Sequence, residues 1–211
     1  MATARATMQT PGRRQRSESK QAAILDAAEA LFASEGYELT SVDAIAVRAK
    51  VSKRTIYDHF GDKQTLFHSV LVRVGDSLTA TVRQVIDEEL TKGRDLHEAL
   101  TAFALRLATE AFPSSDYVTF RRLTSRWQSA PRLPEGADEH PERLLEERFA
   151  ALAADGEIRV ADPRRAVQHF KALTLLLALD ALDDESASSA GDPEISAIIA
   201  DGVDVFLRAY R

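Results

Sequence analysis

Leu66, Val70, Val74, Leu78, Val82 and Ile86 recur every four residues, and that interval lays one apolar stripe along a helix running from Asp62 to about Leu90. A bend is expected near Gly75. Similar periodicity fills most of the chain. Ile24, Ala27, Ala28, Leu31 and Phe32 mark a first helix that stops at Gly36, and Val42, Ile45, Ala46 and Ala49 mark a short second one with Thr40 and Ser41 suited to capping it. Ser52 can cap a third helix in which Ile56 and Phe60 point inward while Lys53, Arg54 and Asp58 point away. Beyond Leu90, helical patterns run over residues 95–112, 115–129, 140–154, 163–182 and 193–210, punctuated by Pro113, "APRLPEG", "DGEIRVADP" and "DDESASSAGDP". The one alternating segment, "EIRV" at 157–160, is too short to seed a sheet. The expected fold is all-α.

Length and composition narrow the class. The 211 residues amount to roughly 1.4 typical domains, and 45% hydrophobic with 28% charged residues is an ordinary soluble balance. The absence of cysteine excludes disulfides, thiolate metal sites and a cysteine nucleophile. The longest apolar run, "ALTLLLALDAL" at 172–182, is too short for a bilayer, which takes roughly 20 residues. The opening "MATARATMQTPGRRQR" has no apolar core of a secretory signal and is expected to be a flexible basic arm over residues 1–16.

Charge is unevenly spread. Residues 1–63 hold ten Lys and Arg against eight Asp and Glu, a balance of +2, whereas residues 64–211 hold seventeen against twenty-five, a balance of −8. Affinity for a polyanion therefore belongs to the first third. There, "AIAVRAKVSKRTIYDHFGDK" (44–63) joins two short helices by a tight turn, the geometry that lets a second helix enter the major groove while the first crosses the backbone. Lys53 and Arg54 in the first turn of the third helix could reach guanine O6 and N7. Ser52, Thr55, Tyr57 and His59 can donate to phosphate oxygens. Lys63 adds a cation beside a helix start that already favours anions.

The segment Ile24 to Phe67 resembles the TetR family of bacterial transcriptional regulators, through its Ile-Ala pair, the Val-Ser start of the third helix, the Tyr-x-His-Phe end and the following Lys-x-x-Leu-Phe. The resemblance implies an N-terminal three-helix helix-turn-helix domain over 17–63 and a larger helical ligand-binding and dimerisation domain over 64–211. It implies that Lys53 and Arg54 read bases and that Thr40, Ser41, Ser52, Thr55, Tyr57, His59 and Lys63 contact phosphates, with Arg13, Arg14 and Arg16 of the arm adding further contacts. Lys50 stands where the family usually has a turn glycine, at a cost of about 1 kcal/mol if its φ is positive, so a slightly different turn is expected.

The segment from Phe120 to Phe170 is similar to the C-terminal domain of the AefR-like branch. The resemblance implies dimerisation through the last two helices and, in many members, a small-molecule site. Aromatics at helical spacing are usually core, and among those of the second domain Phe103, Phe120 and Trp127 are the expected pocket residues. Leu173, Leu176, Leu177 and Phe206 are the expected dimer contacts, because the leucines around them cover more than one helical face.

The expected function is a ligand-responsive repressor that binds a palindromic operator as a homodimer, with double-stranded DNA and an unknown effector as partners, in the cytoplasm and associated with the nucleoid when bound to DNA. No membrane, cofactor, metal or catalytic residue is expected: the "DEHPE" loop at 138–142 lacks defined ligand spacing, and no nucleophile elbow or phosphate-cradling glycine loop is present. The alternatives are an all-α small-molecule-binding protein or enzyme with a vestigial helix-turn-helix, and a DNA-binding protein with no inducer.

Overall fold

The computed structural model describes residues 11–111, 116, 119–120, 122–123, 141–183 and 193–211, and no strand occurs among them. Its helices are α1 (Pro11–Glu35), α2 (Val42–Ala49), α3 (Lys53–Phe60), α4 (Lys63–Glu89), α5 (Leu96–Arg106), α6 (Pro141–Ala154), α7 (Pro163–Lys171), α8 (Leu177–Asp183) and α9 (Pro193–Tyr210). Wider π turns, Leu107–Ala111 and Ala172–Leu176, follow α5 and α7. The chain divides into two compact units, Met1–Arg73 with Arg121–Leu133, and Val74–Phe120 with Pro134–Arg211. The division falls inside α4.

Helix α1 reaches back further than its apolar stripe. It starts at Pro11, so residues 11–16 of the expected arm are helical. Proline fits the first helical turn because its missing N–H has no intrahelical partner there, and the residues from Gln15 to Ala22 form an exposed helical stretch. The stripe then takes over. Ile24, Ala28 and Phe32 are buried, as are Ile45, Ile56, Leu66 and Phe67 of the same unit, and the Phe32 and Phe67 rings meet edge to face at 5.0 Å. Arg73 of α4 donates to Asp26 at 2.6 Å and to Glu29, tying α4 to α1 beside this core.

In the second unit α9 packs on α5, α7, α8 and the second π turn, and α6 packs on α7. Phe149, Phe170 and Phe206 are fully buried at its centre, with ring centroids 5.3–5.5 Å apart. Gly202 is required where α9 crosses the π turn: a Cβ there would lie 2.0 Å from the Leu173 carbonyl oxygen. Arg106 donates to Glu88 and Glu89 and lies within 3.3 Å of Glu110, which fastens α5 to the end of α4. The bonds from Arg106 and Arg94 hold the Glu89 carboxyl below the usual carboxylate range.

Candidate nucleic-acid interface and effector cavity

The α2–α3 pair is built by local chemistry. Ser41 accepts from the Ala44 N–H at 3.0 Å and Ser52 accepts from the Thr55 N–H at 3.1 Å, so each short helix carries its own side-chain cap. Between them Lys50 adopts the left-handed conformation, φ 54° and ψ 41°, and is the non-glycine residue with positive φ among the described residues. Its N–H donates to the Val47 carbonyl and the Val51 N–H donates to the Ala46 carbonyl, closing the end of α2 as a glycine would. The expected change in the turn does not occur. The unsatisfied carbonyls at the end of α2 demand that shape, and lysine adopts it at the cost of strain.

Ile56 and Phe60 are buried on one side of α3, while Ser52, Lys53, Arg54, Tyr57 and Asp58 are exposed on the other. Thr55 and His59 are half-buried at the edges of that face. Lys53 donates to Asp43 of α2 at 2.9 Å, and this bond raises its pKa. The partners are 48% and 69% exposed, so the pair is weak and readily exchanged for a stronger anion. Arg54 lies 3.8 Å from Asp58 one turn on. Lys63, at the start of α4, rests 4.4 Å above the Tyr37 ring, and burial raises the pKa of that tyrosine. Its ammonium also reaches the Glu38 carbonyl at 3.4 Å, so it is poised and half-shielded.

Thr40 does not share this face. It is buried, and its hydroxyl donates to the Gly36 carbonyl at 2.7 Å. The reason is local: the turn after α1 brings the Gly36 carbonyl over Thr40, and that carbonyl accepts from the Thr40 N–H at 3.3 Å as well as from its hydroxyl. Ser41 is exposed. Arg16 is exposed on α1, whereas the Arg13 and Arg14 side chains lie outside the description. Asp43 and Tyr37, which hold the two lysines, carry no sequence signal that assigns them this work.

The second unit contains a cavity of about 420 Å³, within the roughly 300–1,000 Å³ of small-molecule pockets. Phe103 and Phe120 line it. Leu78, Val82, Leu107, Leu145 and Leu175 supply most of the remaining wall, with Glu142 and Lys171 paired at its edge. Sequence alone did not mark these aliphatic positions, since leucines facing a cavity and leucines facing a core have the same spacing. Trp127 lies outside the described residues, as do Asp138, Glu139 and His140 of the acidic loop. Among the described residues no group of three or more His, Asp or Glu side chains could hold a metal, and no helix is long and apolar enough to cross a membrane.

Of the expected dimer contacts, Leu176 and Leu177 are 56% and 52% exposed, and Leu173 is half-buried. Phe206 is corrected: it is fully buried in the unit's own aromatic core, stacked on Tyr210 at 4.6 Å. The neighbouring Val205 turns outward, 48% exposed. One residue along α9 rotates a side chain by about 100°, enough to exchange core for surface.

Residues 24–70 match the family model for bacterial regulatory proteins of the tetR family, and residues 98–211, over half of the chain, match that for the C-terminal domain of AefR-like transcriptional repressors. The chain belongs to the TetR family. It is 36% identical over 92 residues to the transcriptional activator FasR of Mycolicibacterium smegmatis, an alignment covering 44% of this chain and 42% of FasR. It is 38% identical over 85 residues to the transcriptional repressor Rv3405c of Mycobacterium tuberculosis, covering 40% and 45%. The chain thus spans less than half the length of these relatives. Solved TetR-type structures are matched more fully. A transcriptional regulator from Mesorhizobium loti gives a TM-score of 0.71 at 26% identity, and the flavonoid-responsive regulator FrrA gives 0.70 at 27%, each covering 92% of this chain and 98% of the other.

Proposed function

We propose that this TetR-family chain is a homodimeric repressor that grips a palindromic operator through α3 and releases it when a small molecule occupies the cavity of the second unit. The observation that carries the DNA-binding part is the exposed face of α3, where Ser52, Lys53, Arg54 and Tyr57 stand together on a helix anchored by Ile56 and Phe60. Lys53 and Arg54 act as base readers. Ser41, Ser52, Thr55, Tyr57, His59 and Lys63 serve as phosphate contacts, whereas Thr40 positions the turn from within. Exposed Leu176, Leu177 and Val205 form the apolar surface through which two copies meet. Paired half-sites then mirror the protein two-fold axis. Repression is favoured over activation because the family model covering over half of the chain is that of a repressor. A regulator of this kind acts in the bacterial cytoplasm, where its operator lies.

Helix α4 is one unbroken run of 27 residues, about 40 Å long at 1.5 Å per residue, and it carries the chain from the DNA-binding unit into the cavity-bearing one. A ligand that binds one dimer spacing better than the other shifts the equilibrium by its differential affinity, and operator DNA weakens ligand binding by the same factor. The test is selection of bound genomic fragments with the purified protein, followed by affinity measurements on the recovered sequence. Arg54→Ala should cost about 1–3 kcal/mol and relax sequence preference, while Lys63→Ala should weaken all DNA alike and lower the salt slope by about 1. Wild-type affinity for both variants through a salt titration would refute the assignment of the recognition face.

A further inference from the structure

The cavity of the second unit is apolar except at one edge. There Lys171, the last residue of α7, donates to the Glu142 carboxylate in the first turn of α6. Both side chains belong to the cavity lining, and they are the charged residues among its described members. Lys171 is the less exposed of the two, at 31% against 61%. The start of α6 also faces the cavity, through Pro141 and Glu142, and a helix N-terminus carries partial positive charge on its unpaired N–H groups.

These features are unequal in sign. Among the described lining residues, an ammonium and a helix start converge on the edge of an apolar chamber, opposed by one carboxylate that the chain itself supplies. Glu142 therefore occupies the position an anionic group would take. Its pairing with Lys171 is partly solvent-exposed, and such a pair is more easily exchanged than a buried one. A ligand that fills the apolar chamber adds burial energy that Glu142 cannot match, since the glutamate side chain stays at the edge.

We propose that the effector of this cavity is an apolar molecule ending in a carboxylate, with Lys171 as its counter-ion and Glu142 as the internal group it displaces. The proposal rests on the cavity being the effector site. A neutral molecule would leave the Lys171–Glu142 pair undisturbed and gain from apolar contact alone. A cationic molecule would have to meet both the ammonium and the helix start.

Calorimetry on the full chain with three ten-carbon probes, decanoate, 1-decanol and decylammonium, separates these cases. Decanoate should bind tightest and decylammonium weakest. Lys171→Met, which keeps the aliphatic stem, should weaken decanoate about tenfold and leave decanol within about twofold. Glu142→Gln should strengthen decanoate by about twofold or more by removing its competitor. If decanoate and decanol bind equally and Lys171→Met alters neither, the anionic class is wrong while the effector site stands. If no probe binds the wild-type chain, the effector reading of the cavity falls and the proposal falls with it. Preference for decylammonium, lost in Glu142→Gln, would reverse the assigned charge.

Discussion

Replacing Lys50 with glycine tests whether the turn between α2 and α3 stores strain. Lys50 holds φ 54° and ψ 41°, a conformation that costs an L-residue roughly 1–2 kcal/mol because Cβ crowds the following carbonyl. Its side chain is exposed, so removing it forfeits little packing. Glycine relieves the strain but brings a more disordered unfolded chain, a penalty of roughly 0.5–1 kcal/mol. The difference leaves Lys50→Gly more stable by about 0.5–1 kcal/mol. Lys50→Ala is the control: it removes the same side chain but keeps Cβ, so its stability should stay within about 0.5 kcal/mol of wild type. Urea unfolding followed by circular dichroism reads both, and an alanine variant as stable as the glycine variant would refute left-handed strain as the cause. The same pair reports on DNA. A phosphate contact by Lys50 would be lost equally in both variants, with the salt slope lower by about 1, whereas a plain surface residue would leave operator affinity unchanged.

Other outcomes follow from single contacts. Gly202→Ala should destabilise the second unit by about 3 kcal/mol, the upper end for overpacking, because the new Cβ would meet the Leu173 carbonyl, which is backbone and cannot swing aside; chemical denaturation measures it. The Thr65 N–H donates to Asp62 at 2.7 Å and holds the Asp62 carboxyl below its ordinary value of 3.8. That contribution is present above 3.8 and disappears as pH falls through the lowered value, so the stability gap between wild type and Asp62→Ala should narrow on acidification below about 4. Leu177→Glu places a charge on the proposed dimer face and should give a monomer by light scattering at micromolar concentration, with loss of operator affinity; a stable dimer would move the interface elsewhere.

The α2–turn–α3 unit was legible in the sequence because its determinants are local. Ser41 and Ser52 each cap a helix through an N–H three residues on, and Ile56 and Phe60 share a face by helical period alone. The helices over 141–154 and 193–210 were readable for the same reason, bounded by Pro141 and Pro193. Tertiary structure decided the rest. Phe206 and Val205 are adjacent apolar residues on a helix with more apolar surface than one side can bury, and only the arrival of Phe149 and Phe170 selects which one enters the core. Thr40 reads as a surface donor, and only the packing around it makes it a buried residue whose hydroxyl is spent within its own turn. The pairing of Lys171 with Glu142 joins residues 29 apart in sequence, and no periodicity connects positions whose meeting depends on how two helices cross. The cavity has the same origin: it is the space that packed helices leave unfilled, and such a space has no residue of its own to announce it.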